Sequence, residues 1–207
     1  MQSVNADSIS HRDTIAHFSL ENDGSQISTL PLACYPKLEL RGVGFFTHHT
    51  PRHLMEEYSW VPSPPTSDLT HGQLLAIRDL LAAETDEHYA LAALYSLPIS
   101  SAAGSLILID ANENVKGVLW SMIIDENTVR ILAFCINSDL QNIGLGTQAW
   151  NEFAILVKSE GKSSVYLEVK AENEGAINFY RKVGLNEIAI LSKYYHSSIG
   201  IIMQGNL

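Results

Sequence analysis

Read along its hydrophobic and polar positions, the chain settles into a strand-like rhythm from Ser105 onward. Leu106-Ile107-Leu108-Ile109 runs into the polar Asp110-Ala111-Asn112-Glu113-Asn114. Val115 to Ile124 runs into Asp125-Glu126-Asn127, and Thr128 to Ile136 follows. Apolar runs of this length, bounded by Asn and Asp, predict three strands of an antiparallel meander. A glycine turn comes next, Gln141-Asn142-Ile143-Gly144-Leu145-Gly146, then a helical pattern through Val157. Val165-Tyr166-Leu167-Glu168-Val169 reads as a further strand and Glu174 to Val183 as a second helix. Asn173 is placed to cap that helix at its start and Gly184 to end it. Strand, glycine turn, helix, strand is a βαβ crossover, so the fold class is α/β with a mixed sheet.

Upstream the signals are weaker. Asp68 is the expected cap of a helix whose apolar positions include Leu74, Leu75, Ile77, Leu80 and Leu81, and Glu87 to Leu94 predicts a shorter one. Val61-Pro62-Ser63-Pro64-Pro65 reads as a break, and Leu38 to Phe46 as a strand. His48, His49 and His53 resemble a ligand cluster, but Pro51 spoils the helical register that would align His49 with His53. A polar loop is expected there, with no metal. Residues 1–36 form an N-terminal extension. Asp23-Gly24 lies between two partly alternating stretches, so a hairpin and a loosely ordered tail both fit. Residues 37–207 are expected to make one domain.

Composition narrows the partners. A chain of 207 residues that is 46% hydrophobic can bury a full core, yet no apolar run approaches the roughly 20 residues that span a membrane. The formal net charge of −10 speaks against a nucleic-acid partner; it suits a cationic one such as an amine, and equally an acidic surface that serves solubility alone. Cys34 and Cys135 stand in no metal spacing and read as free thiols of a reducing compartment. Met1 to Asp13 lacks the basic-then-apolar order of a signal peptide. A cytoplasmic protein is expected.

Glycines at the start of a helix suggest a phosphate site, because that end presents unpaired N–H groups and the positive end of the dipole. Gly144-Leu145-Gly146-Thr147-Gln148-Ala149 fits the dinucleotide pattern G-x-G-x-x-A, and Glu168 falls near the acidic position expected about 20 residues on. Context points elsewhere. A dinucleotide turn follows its strand almost at once, whereas Asn137 to Ile143 intervenes here, and little chain remains for further parallel strands. Gln141 to Gly146 also fits Q/R-x-x-G-x-G/A, the acetyl-CoA pyrophosphate loop of the GNAT N-acetyltransferase superfamily. The resemblance continues through Leu167-Glu168-Val169-Lys170-Ala171-Glu172-Asn173 and Ala176-Ile177-Asn178-Phe179-Tyr180, and reaches Lys193-Tyr194-Tyr195 and Ile201-Ile202-Met203. It is strongest over residues 100–207. Within the superfamily the chain most resembles N-terminal acetyltransferases of the ribosomal-protein-alanine type.

The resemblance implies a GNAT fold, in which the meander and crossover are followed by a C-terminal strand pair. It implies acetyl-CoA as co-substrate without a metal, and an amine acceptor on a peptide, protein or small molecule. A monomer or homodimer, with no nucleic acid and no membrane, completes that expectation. Gln141, Asn142, Ile143, Gly144, Leu145, Gly146 and Thr147 would surround the pyrophosphate, with the two glycines admitting close backbone approach. The main chain of Phe134 and Ile136 would pair with the pantetheine arm, although both residues also suit a core. Glu168 would be the base, or a strand-end carboxylate that is paired with a lysine or only orients water. A carboxylate on that strand, where Val165, Leu167 and Val169 share one face, has to be solvated in a cleft or paired. Tyr180 would protonate the departing thiolate, or serve as a core aromatic beside Ile177 and Val183. Asn173 would touch the cofactor arm, though capping alone explains it, and Tyr194 and Tyr195 would face the acceptor. Two departures stand out: Ser138 occupies a common proline position, and Ser198-Ile199-Gly200-Ile201 replaces a frequent Asp-Ala pair. A protein or peptide acetyltransferase, a small-amine transferase and a non-catalytic acyl-CoA module remain open.

Overall fold

The computed structural model describes residues 57–195 and 198–207, with side chains outside 193–198. All belong to one compact unit, Thr47–Leu207. The expected hairpin at Asp23-Gly24, the strand at Leu38 to Phe46, the histidine loop and Cys34 lie outside the described residues.

The meander is present: β2 (Leu106–Asp110), β3 (Val115–Ile123) and β4 (Thr128–Ile136) pair antiparallel in sequence. Its first turn closes on one carboxylate. Asp110 accepts the N–H groups of Asn112 and Asn114, each at 2.9 Å. The Asn114 amide and these backbone donors hold its pKa down to about 2. Ahead of the meander lies β1 (Tyr58–Pro62), which the prolines concealed: Pro62 is tolerated because β1 is an edge strand. After β4 come α3 (Leu145–Ser159), β5 (Ser164–Lys170), α4 (Glu174–Lys182), β6 (Asn186–Tyr195) and β7 (Ser198–Asn206). The sheet order is β1-β2-β3-β4-β5-β7-β6, with β4 and β5 as its parallel pair. Since β5 next pairs antiparallel with β7, the sheet is not the parallel one a dinucleotide fold requires.

The sheet separates two cores. On one face α3 and α4 pack Trp150, Phe153, Ile177 and Tyr180 onto Val165, Leu167 and Val169. On the other, α1 (His71–Thr85) and α2 (Leu91–Tyr95) pack Leu74, Ile77, Leu81 and Leu94 onto Ile107, Val118 and Trp120. The start of α1 differs from expectation. Asp68 ends a short helical turn, buried Leu69 follows, and Thr70 makes the cap. The Thr70 hydroxyl accepts the Gln73 N–H at 3.2 Å while the Gln73 carboxamide accepts the Thr70 N–H at 3.0 Å, a reciprocal capping box. The second helix is also shorter than Glu87 to Leu94. Asp86 ends α1 in a left-handed conformation (φ 58°), and the Tyr89 hydroxyl donates to the Glu87 carboxylate, a spacing that a helix does not bring face to face.

Both expected caps of α4 are realised. Asn173 Oδ1 accepts the Ala176 N–H at 3.0 Å. Gly184 (φ 98°) ends the helix, with Leu185 N–H on the Tyr180 carbonyl and Gly184 N–H on that of Arg181. This turn packs against β7 so closely that a Cβ on Gly205 would come within 2.7 Å of the Gly184 carbonyl oxygen. Gly205→Ala should therefore displace backbone on one side or the other and destabilise the domain by about 1–3 kcal/mol. Urea unfolding tests this: a lower midpoint at unchanged slope is expected, and an unmoved midpoint refutes it.

Candidate active site

The site begins where the parallel ladder stops. Strands β4 and β5 pair from Thr128↔Ser164 to Ile131↔Leu167, and then β4 continues to Ile136 and β5 to Lys170 without pairing to each other. A bulge accompanies the parting. On β3, Trp120 pairs with Ala133 and Ser121 with Ile131, so Leu132 is an extra residue. A bulge sharpens local twist and bends its strand. Past it, Asn137 N–H donates to the Lys116 carbonyl on β3 at 2.9 Å. Alternate residues of an antiparallel strand direct their N–H and C=O to opposite sides. The main chains of Phe134 and Ile136 therefore turn into the gap, while their side chains join the α3–α4 core. The Ile136 carbonyl is already met there by Gln141 Nε2 at 2.8 Å.

The turn after β4 contains two left-handed residues, Asn142 (φ 62°) and Gly144 (φ 97°). At Gly144 a Cβ would meet nothing within 4 Å, so glycine is required there by conformation rather than by space. Gly146 is the converse. It lies in the first turn of α3, and a Cβ would make ordinary contacts of 3.8–3.9 Å with Ile136, Phe179 and Phe134. The protein's own packing therefore does not demand a glycine here. The N–H groups of Leu145, Gly146 and Thr147 precede the first intrahelical bond, Gln148 N–H to the Gly144 carbonyl, and so have no intrahelical acceptor, the kind of helix start that suits an anion. Beneath it run aromatic contacts, Trp60 to Phe134 at 6.4 Å and Phe134 to Phe179 at 5.7 Å. The Trp60 indole fixes the turn from below by donating to the Leu145 carbonyl at 3.0 Å.

Glu168 is the first residue of its face past the last paired position, Leu167. Its carboxylate is mostly buried and is gripped at two points by Arg130 of β4: Nε to Oε2 at 3.0 Å and Nη2 to Oε1 at 2.9 Å. The pairing expected of a carboxylate in this strand thus comes from a neighbouring arginine. The guanidinium also lies 5.8 Å from the Tyr166 ring centroid. Further along β5, Lys170 Nζ donates to the Thr85 carbonyl at the end of α1, at 2.7 Å.

Tyr180 approaches from the other core. It is 7% exposed, among the rings of Phe179 and Trp150. Burial pushes its phenol up, and Cys135 on β4 adds to the shift, so at neutral pH it carries its proton. Cys135 is itself pushed up to about 12, by burial first and then by Glu84 and Glu87, which leaves it an inert thiol. Asn173 spends its side-chain oxygen on the α4 cap. The side chains of Tyr194 and Tyr195 lie outside the described residues. The cleft between α4 and the β6–β7 pair, with Glu174, Asn178, Arg181 and Glu187 on its walls, includes neither the glycines nor Glu168 nor Tyr180. Among the described residues no group of three or more His, Cys, Asp or Glu is placed to hold a metal ion, and no helix is long and apolar enough to cross a membrane. Sequence reasoning passed over Arg130, Trp60 and Glu84. A charge at an alternate position of an apolar strand could have flagged Arg130, but its partner depends on the cross-strand register.

The sequence profile of the Acetyltransferase (GNAT) family matches residues 73–185, more than half of the chain. The [Ribosomal protein bS18]-alanine N-acetyltransferase of Escherichia coli (strain K12) is 32% identical over 82 residues, which cover 40% of this chain and 54% of that protein. The chain thus spans about half the length of this curated relative. Among solved structures, Ard1 from Thermoplasma volcanium superposes with a TM-score of 0.65 at 23% identity, covering 73% of this chain and 98% of that one. Arabidopsis thaliana Naa50, in complex with the bisubstrate analogue CoA-Ac-MVNAL, gives 0.60 at 17% identity, covering 73% and 99%. These likenesses bear on the fold, and the parted strands, the glycine turn and the profile agree: the chain belongs to the acetyltransferase (GNAT) family.

Proposed function

We propose that the protein transfers acetyl from acetyl-CoA to the primary amine of a protein N-terminus or lysine. The observation that carries the reading is the gap itself. Two strands separate after Ile131↔Leu167, the main chain of Phe134 and Ile136 faces the opening, and a glycine-led helix starts at its end. An extended amide-bearing arm suits the strand-like gap, and a diphosphate suits the helix start. Acetyl-CoA supplies its acetyl as a thioester: the amine nitrogen bonds to the carbonyl carbon, the C–S bond breaks, and the thiol is released.

This chain's residues divide the remaining work. An amine is mostly protonated at neutral pH and must lose that proton before it attacks, so Glu168 is assigned to receive it, directly or through water. Arg130 sets the plane of that carboxylate by binding both oxygens. Tyr180 is assigned to the sulfur. A buried phenol that keeps its proton can donate a hydrogen bond to the charge that develops as the C–S bond lengthens. Main-chain N–H groups in the gap are suited to the carbonyl oxygen. A protein or peptide acceptor is favoured over a small amine because the sequence relative is named for a ribosomal-protein alanine and the Naa50 structure holds a CoA–peptide analogue. A free, buried Cys135 suits a reducing compartment, and we place the enzyme in the cytoplasm.

Release of thiol from acetyl-CoA, measured with a panel of peptides, lysine-bearing proteins and small amines, tests the reaction and the acceptor class. Preferential turnover of small amines would exchange the acceptor, and CoA binding without turnover of any amine would leave an acyl-CoA-binding module. Gly146→Ala separates packing from binding. Replacing glycine by alanine within a helix stabilises by about 0.5–1 kcal/mol, so the ligand-free protein should unfold no earlier than wild type. CoA affinity should nonetheless fall about tenfold or more as the methyl group enters the cradle. Equal CoA affinity in calorimetry would remove Gly146 from the site. Tyr180→Phe and Glu168→Gln should each lower kcat by about 10²-fold or more, the usual scale of acid–base assistance, while CoA affinity stays within about twofold. Wild-type turnover in both variants would sink the two assignments.

A further inference from the structure

Glu84, in the last turn of α1, makes contacts that the transfer chemistry does not use. One carboxylate oxygen accepts the Ser138 N–H at 2.8 Å and the other accepts Gln141 Nε2 at 3.2 Å. The same Gln141 amide donates to the Ile136 carbonyl. The next residue of α1, Thr85, gives its carbonyl to Lys170. The last turn of α1 is therefore tied to the end of β4 through Glu84 and to the end of β5 through Thr85, bridging the open end of the gap. On charge alone, Glu84 is badly placed. A carboxylate at a helix C-terminus opposes the dipole, and one beside a pyrophosphate site repels the ligand.

We propose that Glu84 is a positioning residue that holds the Gln141–Gly146 turn ready for the cofactor, an inference that rests on the acetyl-CoA reading. Asn142 and Gly144 both accept left-handed backbone readily, so this turn is one of several conformations open to the segment until contacts from outside select it. Gln141, its first residue, is extended (φ −76°, ψ 160°), and its side chain is held between Ile136 and Glu84. Ser138 contributes a backbone donor because it is not a proline, so the departure noted in the sequence creates half of the contact. A turn fixed before binding loses less conformational freedom when the ligand arrives, and affinity rises accordingly.

Calorimetric titration of CoA into the full-length protein tests the proposal with Glu84→Ala, Ser138→Pro and the pair combined. Ser138 opens a short helical turn and follows Asn137 at ψ 133°, a setting in which proline is at ease, so that variant removes one N–H and little else. Each single change should weaken CoA about five- to tenfold, the effect of losing a charge-assisted hydrogen bond. The double variant should lie within about twofold of the weaker single one, because both remove the same contact. KM for acetyl-CoA should rise in step while kcat moves less than about twofold. Charge repulsion predicts the opposite sign for Glu84→Ala, which would then bind more tightly. Unchanged or tighter binding in either single variant, or losses that add, overturns the proposal. A wild-type protein that takes up no CoA overturns the acetyl-CoA reading itself, and this inference with it.

Discussion

A sheet that opens in its middle must find partners for backbone groups that a closed ladder would satisfy, and the architecture of this domain follows from that. Each buried N–H or C=O left unmet costs about 1–3 kcal/mol. Past Ile131↔Leu167 the β4 strand keeps β3 on one side and loses β5 on the other. The bulge at Leu132 adds the twist that turns β4 aside. Past the bulge Phe134 packs edge-on against Phe179 of α4, which anchors the diverging part of β4 to the core on that face. Gln141 covers the Ile136 carbonyl at the far end. The opening is thus braced at its base, along its wall and at its rim, and what remains directed into it is a row of peptide groups suited to an extended ligand.

The two faces of the opening have contrasting electrostatics. On the α1–α2 side an ionic pair, Arg130 with Glu168, is continued by Lys170 at the α1 terminus. On the α3–α4 side, burial among rings keeps Tyr180 neutral. In the proposed transfer, a charged acceptor amine calls for a fixed carboxylate, and the negative charge that develops on the departing sulfur calls for a buried donor that keeps its proton.

Much of this was legible from residue order. The alternation of Val165 to Val169 correctly assigned faces, and Asn173 and Gly184 marked the ends of α4, because strand period and cap chemistry are local properties. Local ambiguity caused the misreadings. Asp68 and Thr70 are both capping residue types within three positions, and burial of Leu69, a tertiary fact, decided between them. β1 was hidden by Pro62, which is excluded from inner strands but not from an edge. Arg130 and Glu84 were illegible as partners because their contacts join positions 38 and 54 residues apart in sequence, through a register that the sequence does not print. The contrast between Gly144, held by its left-handed conformation, and Gly146, held by neither conformation nor packing, depends on what surrounds each residue and is not written in their order.

The Arg130–Glu168 pair stands at the point where the last parallel hydrogen bonds end, and its placement says more than its energy. A mostly buried ion pair returns little net stability, since the attraction is offset by taking both charges out of water. Its geometry, by contrast, is restrictive: two parallel N–H···O bonds fix the guanidinium and carboxylate planes together. One partner belongs to each of the diverging strands, so the side chains continue the connection for one position after the backbones have let go. The apex of the gap is thereby set at one residue rather than left to breathe along the ladder. A carboxylate assigned to receive a proton needs that constancy of position more than it needs a stronger fold, because proton transfer depends on heavy-atom separations held to a few tenths of an ångström.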